Sequence, residues 1–226
     1  MSIEGKSTPP SFTAPSWYPP VNDQIRKASV FLELHGGKEG YRPSDIPAIP
    51  NFTPRTRTEV LLLTVMLPNK GYMKGFRRTF DSWWDFIVPP SGLTKWRWQE
   101  LKSNSKRLRL AKGIEYKPGI RWVAFDPYAY QSKSPKQALA LSVNDDTTTL
   151  AHAEVLMAAA MFPDWVDSWD NRESPYPNLS GFQFWNSGWN FVLALRSSPS
   201  KSMLGLDAVR ADSRNSSCSS PTIREC

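Results

Sequence analysis

Apolar residues run almost unbroken from Val60 to Leu67 (VLLLTVML) and stop at Pro68. Eight residues is short for a helix and fits a strand buried on both faces. Beyond it the period changes. Tyr72, Phe76, Phe80, Trp83, Trp84 and Ile87 recur at three- and four-residue steps, which places them on one face of a helix. Lys74, Arg77, Arg78, Asp81 and Asp85 fall largely on the other face, and Pro89-Pro90 ends the element. The period then shortens to two. Lys95-Trp96-Arg97-Trp98 alternates strictly, and Lys106-Arg107-Leu108-Arg109-Leu110 repeats the device around a Ser103-Asn104-Ser105 turn.

Gly119 to Phe125 predicts a further strand, and Ser134 to Leu141 fits either a short helix or a strand. Leu150 to Phe162, rich in Ala, Leu and Met, is apolar nearly all round and predicts a buried central helix closed by Pro163. Asn144, Asp145, Asp146 and Thr147–Thr149 stand before it as N-cap candidates. Trp165 and Trp169 are four apart and face inward in a helical turn, with Asp164, Asp167 and Asp170 outside. Gly181 to Leu195 reads as two strands around Asn186-Ser187-Gly188.

The two ends differ from the middle. Residues 1–54 hold nine of the twenty prolines and predict an irregular N-terminal wrap, anchored by Trp17, Tyr18, Ile46 and Ile49, with one short strand at Ser29 to Leu34. Residues 197–226 contain nine serines and little periodicity, and predict a disordered tail. Between them, residues 55–196 form the expected core. The fold class is α+β: a mixed or antiparallel sheet of about five or six strands against two main helices.

Charge sharpens this picture. The chain carries 28 Lys and Arg against 21 Asp and Glu, a net +7. Residues 55–121 alone hold fifteen bases and five acids, so +10 is concentrated in one block. If the two alternating segments pair, one sheet face collects Lys95, Arg97, Arg107 and Arg109, and Lys74, Arg77 and Arg78 of the helix join them as candidate contacts. Such a face is either an ordinary solvated surface or a cationic platform that neutralises phosphates. The platform reading makes the protein a non-enzymatic nucleic-acid-binding module. Self-association through basic and acidic patches, or contact with another protein, is the alternative.

Chemistry adds little. His35-Gly36-Gly37-Lys38 lacks the spacing of a phosphate loop, and the chain has no G-x-S-x-G elbow. It reads as a turn, and Asp126 before Pro127 reads as a turn opener. Asp145, Asp146 and His152 outline a hydrolase alternative. In a continuous helix His152 and Glu154 would point about 200° apart, so the reading keeps them from sharing a site. Two histidines and two cysteines (Cys218, Cys226) do not make a zinc site, and reduced thiols are expected. No catalytic residue, cofactor or metal is therefore assigned. MSIEGKSTPP has no apolar leader, and no run approaches the length of a membrane span. The expectation is a cytoplasmic protein without membrane contact.

Overall fold

The structure, a computed structural model, describes residues 14–37, 40–68, 74–89, 93–97, 108–145, 147–186, 189–198 and 203–226. In chain order the elements are α1 (Val21–Phe31), β1 (Val60–Met66), α2 (Lys74–Phe86), β2 (Thr94–Arg97), β3 (Leu108–Leu110), β4 (Gly119–Asp126), α3 (Pro135–Ser142), β5 (Thr149–Leu150), α4 (Ala153–Met161), α5 (Pro163–Asp170), β6 (Tyr176–Asn186), β7 (Trp189–Ser198), β8 (Met203–Arg210), β9 (Cys218–Ser219) and β10 (Thr222–Glu225). The fold is mixed α+β, with two sheets instead of one. One has the order β1-β4-β10-β5. The other has the order β2-β8-β7-β6-β3, with β9 paired to β6.

All seven residues of β1 are buried, as its sequence requires, yet β1 is an edge strand. An edge leaves backbone groups unpaired, and burial would make each one costly. Side chains fill the edge. Gln24 Nε2 donates to Leu61 O at 2.9 Å and Gln24 Oε1 accepts from Leu63 N at 3.0 Å, as a neighbouring strand would. Tyr18 Oη also donates to Leu61 O, Trp83 Nε1 donates to Val65 O, and Thr79 Oγ1 accepts from Leu67 N. The wrap and α2 thus supply the missing ladder.

Trp17 and Tyr18 anchor the N-terminal stretch as expected, and Ile46 packs on the core, but Ile49 stays exposed. The strand expected at Ser29 to Leu34 is absent. That segment is the end of α1 continued by a π-helical turn, Leu32–Gly36, because Ala28, Phe31 and Leu32 share one buried face at helical spacing. Phe31 stacks on Trp83 at 4.0 Å and 6°, joining α1 to α2. On α2, Phe80, Trp83 and Trp84 are buried, as is Ile87 just after it, as the spacing predicts; Tyr72 lies outside the described residues.

Ser134 to Leu141 resolves as a helix. Ser134 Oγ accepts from Gln137 N, Gln137 reaches back to Ser134 N, and Pro135 occupies the first helical position. The central helix is shorter than its apolar run, and all nine residues of α4 are buried. Thr149 and Leu150, expected at its start, form β5 instead.

Two expectations are corrected here. The Ser-rich tail is ordered through its described residues: β8 pairs with both β7 and β2, and β10 runs between β4 and β5. The binding is largely backbone pairing, which serine does not obstruct. Arg224 adds a bidentate pair to Glu59, at 2.8 and 2.9 Å. The alternating segments do not pair with each other. β2 joins β8 in parallel and β3 joins β6 antiparallel, so they occupy opposite edges of one sheet.

The sheets meet where β6 passes the β5–α4 connection. A Cβ on Gly181 would lie 2.8 Å from Ala151 O and 3.0 Å from His152 Cβ, so only glycine allows this approach. No helix among the described residues is long and apolar enough to cross a membrane.

Candidate functional site

The predicted cations divide into two groups. Lys95 and Arg97 are turned back onto α2. Lys95 Nζ donates to the Trp84 and Asp85 carbonyls at 3.0 and 2.7 Å, serving the open carbonyls of the helix end. Arg97 bonds Asp81 at 2.8 Å and Asp85 at 3.3 Å, with its guanidinium 5.5 Å from the Trp84 ring centre. Burial lowers the Lys95 ammonium and raises the Asp81 carboxyl, the latter opposed by Arg97. This pair of bases closes a helix end.

Arg77 and Arg109 form the second group. They come from α2 and β3, with β2 between these in the chain, and lie close enough to interact electrostatically. Burial lowers the Arg77 guanidinium first and the neighbouring Arg109 adds to it, while Asp81 opposes both. Arg78 is exposed beside them on α2, and Arg109 is exposed on β3. Lys74 opens α2, and its side chain is outside the described set, as is all of Arg107. Trp96 lies against Gly205, and Trp17, Trp83, Trp84, Trp122, Trp165 and Trp169 are core. None of these six is a stacking platform for bases.

A different constellation sits at the N-terminus of α4. His152 is not in the helix. It is the N-cap, with φ −130° and ψ −94°, and its Nδ1 accepts from Ala153 N at 2.7 Å. Glu154 Oε2 curls back to accept from His152 N at 2.8 Å and stands 3.3 Å from His152 Nδ1. The two side chains therefore share one site, against the helical-wheel expectation, because the cap residue leaves the helix. Both are buried, at 2% and 0% exposure. Phe182 and Tyr116 flank the imidazole at 5.6 and 6.3 Å. Burial pushes the Tyr116 phenol well up, and the Glu154 carboxylate adds to this.

Glu154 Oε1 has no hydrogen-bond partner. It is the only carboxylate oxygen so placed among the described residues. His152 and Glu154 line a cavity of about 180 Å³ together with Glu115, Lys117, Arg121 and Glu225. Arg121 Nε is a second unpartnered buried atom there. The sequence signal was the H-A-E step after a capping-rich stretch, a compressed relative of the reciprocal capping box.

The remaining positions are structural. Asp145 accepts from Thr147 N and Oγ1, which holds its exposed carboxyl below the usual range, and it lines a neighbouring groove instead of the His152 cavity. Asp146 lies outside the described residues. Asp126 accepts from Thr56, Thr58 and Tyr128 N, as a turn opener does. Gly36 O accepts from Tyr41 N at the turn after α1. Cys218 and Cys226 are free thiols. No three His, Cys, Asp or Glu side chains among the described residues gather as a metal site.

Comparison with protein-family models, with curated proteins and with solved structures returns no match for this chain.

Proposed function

We propose that this protein is a non-enzymatic binding module for a polyanion, with nucleic acid as the ligand. The contact surface is centred on Arg77 and Arg78 of α2 and Arg109 of β3, and is not a full sheet face. The observation behind it is that Arg77 of α2 and Arg109 of β3 are near enough to repel, a repulsion that Asp81 only partly offsets. Like charges held together relax when phosphate oxygens come between them. The +10 block in the sequence supplies further cations nearby in the chain.

Fluorescence anisotropy with labelled single- and double-stranded DNA and RNA, across a salt series, tests this. If three phosphates are neutralised, log K falls with log salt at a slope of about −2 to −3. Arg77→Gln/Arg78→Gln/Arg109→Gln flattens that slope and weakens binding about tenfold or more, whereas Lys95→Gln/Arg97→Gln does neither. No binding at low salt ends the reading.

A second reading keeps one observation. Asp164, Asp167 and Asp170 crowd one face of α5. Burial raises the Asp167 carboxyl first, and its two neighbours add to it. That face complements the arginine corner of another copy. Light scattering that reports a salt-labile oligomer would favour self-association over nucleic acid.

A further inference from the structure

We propose that the cavity at the N-terminus of α4 binds a small zwitterion, a free amino acid by chemical class, with its ammonium on Glu154 and its carboxylate on Arg121. The inference stands apart from the polyanion reading, since it uses different residues.

Two buried atoms of opposite character carry it. Glu154 Oε1 is an acceptor with no partner on a side chain that is 0% exposed. A carboxylate oxygen left open in the interior is costly unless something fills it. Arg121 Nε is a donor with no hydrogen-bond partner. Its Nη1 is occupied by Lys117 O at 2.8 Å, and the Glu225 carboxylate stands 3.7 Å from Nε, too far for a hydrogen bond. Both residues line the same cavity.

Size limits the ligand. About 180 Å³ lies below the roughly 300 Å³ where drug-sized pockets begin. At about 30 Å³ per water it holds about six waters, which suits a small amino acid. Charge limits it further. A simple anion would meet Glu154, and a simple amine would leave Arg121 Nε unfilled beside its own positive charge. A metal ion lacks a third ligand, since no such group gathers among the described residues. A molecule with one charge of each sign answers both open atoms. At the rim, the Lys117–Glu225 pair is 3.4 Å long with both side chains 57% exposed. Such a pair holds weakly and yields to a competing carboxylate.

The test uses the full chain. Free amino acids, their methyl esters and their N-acetyl derivatives are titrated by calorimetry and thermal shift, alongside Zn²⁺ alone. The proposal expects at least one free amino acid to bind. Its ester, which loses the carboxylate charge, and its N-acetyl form, which loses the ammonium, each bind about tenfold more weakly or worse. Glu154→Gln and Arg121→Gln weaken the free amino acid to a similar degree. If either variant fails to fold, the wild-type panel still decides. The proposal is overturned if no free amino acid binds up to about 10 mM, if a blocked derivative binds equally well, or if Zn²⁺ alone stabilises the protein while amino acids do not.

Discussion

Two glutamates are buried among the described residues, and the chain treats them in opposite ways. Glu59 accepts from both branches of the Arg224 guanidinium and from Arg55 N at 2.6 Å, so both of its oxygens are filled. Glu154, more deeply buried, fills one oxygen with His152 N and leaves the other without a hydrogen-bond partner. The first arrangement joins the last strand to the loop before β1. The second contributes little to the fold beyond a cap. Burial alone therefore does not mark a carboxylate as structural; the completeness of its partners does.

Breaking the filled site should have the largest effect. Arg224→Met strands the Glu59 carboxylate with one backbone donor and frees β10 from Thr53 and Glu59. Removing one partner of a buried pair costs about 3–5 kcal/mol. The urea midpoint should fall accordingly, and amide exchange in β10 should accelerate before that in β4. A loss below about 1 kcal/mol, the range of a surface pair, would erase the contrast with Glu154.

The tyrosine on the β1 edge belongs with the filled class. Burial pushes the Tyr18 phenol from 10.0 up to about 12, moderated by its hydrogen bond with Gln24. The folded chain thus holds this proton more tightly than the unfolded chain. Its contribution is whole below pH 10 and is lost as pH climbs from 10 to about 12. The alkaline loss attributable to this group is on the order of 2 kcal/mol. Tyr18→Phe should remove that part of the pH dependence, and denaturation curves at pH 9 and pH 11.5 would read it. An unchanged slope would show that the edge of β1 does not depend on this donor.

Lys95 and Arg97 form an intermediate case. Lys95 holds backbone carbonyls, and the carboxylates that Arg97 holds are well exposed, with the Asp81 and Asp85 side chains at 45% and 71%. Lys95→Gln/Arg97→Gln should cost about 1 kcal/mol, from a helix-end cation and a screened ion pair. The loss should shrink in high salt, whereas the loss in Arg224→Met should not.

Much of the fold was legible in the chain because it follows from local pattern. Val60–Met66 announced itself by a continuous apolar run, α2 by its aromatic spacing, and β6 and β7 by the break at Asn186-Ser187-Gly188. What stayed hidden depended on pairing between distant segments. Thr222–Glu225 is too short and polar to signal a strand, and its place between β4 and β5 is set by backbone bonds and by Arg224 reaching Glu59. The alternation gave strands over the described residues Thr94–Arg97 and Leu108–Leu110 but not their partners, since period two is silent on register between segments. The His152–Glu154 site was missed for a single local reason. A helical wheel assumes both residues lie in the helix, and one unwound residue brings them together.

The smallest effect on stability is the most telling one. Glu154→Gln keeps an oxygen to accept from His152 N and removes a charge that burial disfavours. Stability should change by no more than about 1 kcal/mol, and a gain is the expected sign. The urea midpoint reads this directly at neutral pH, beside Glu59→Gln, which should lose several times as much. A large loss at Glu154 would place it in the same class as Glu59 and make its open oxygen incidental. A neutral or stabilising result, together with loss of zwitterion binding, would mean that the carboxylate is held against the interest of the fold. A group that costs stability and is needed only by a ligand is what a binding site leaves in a core.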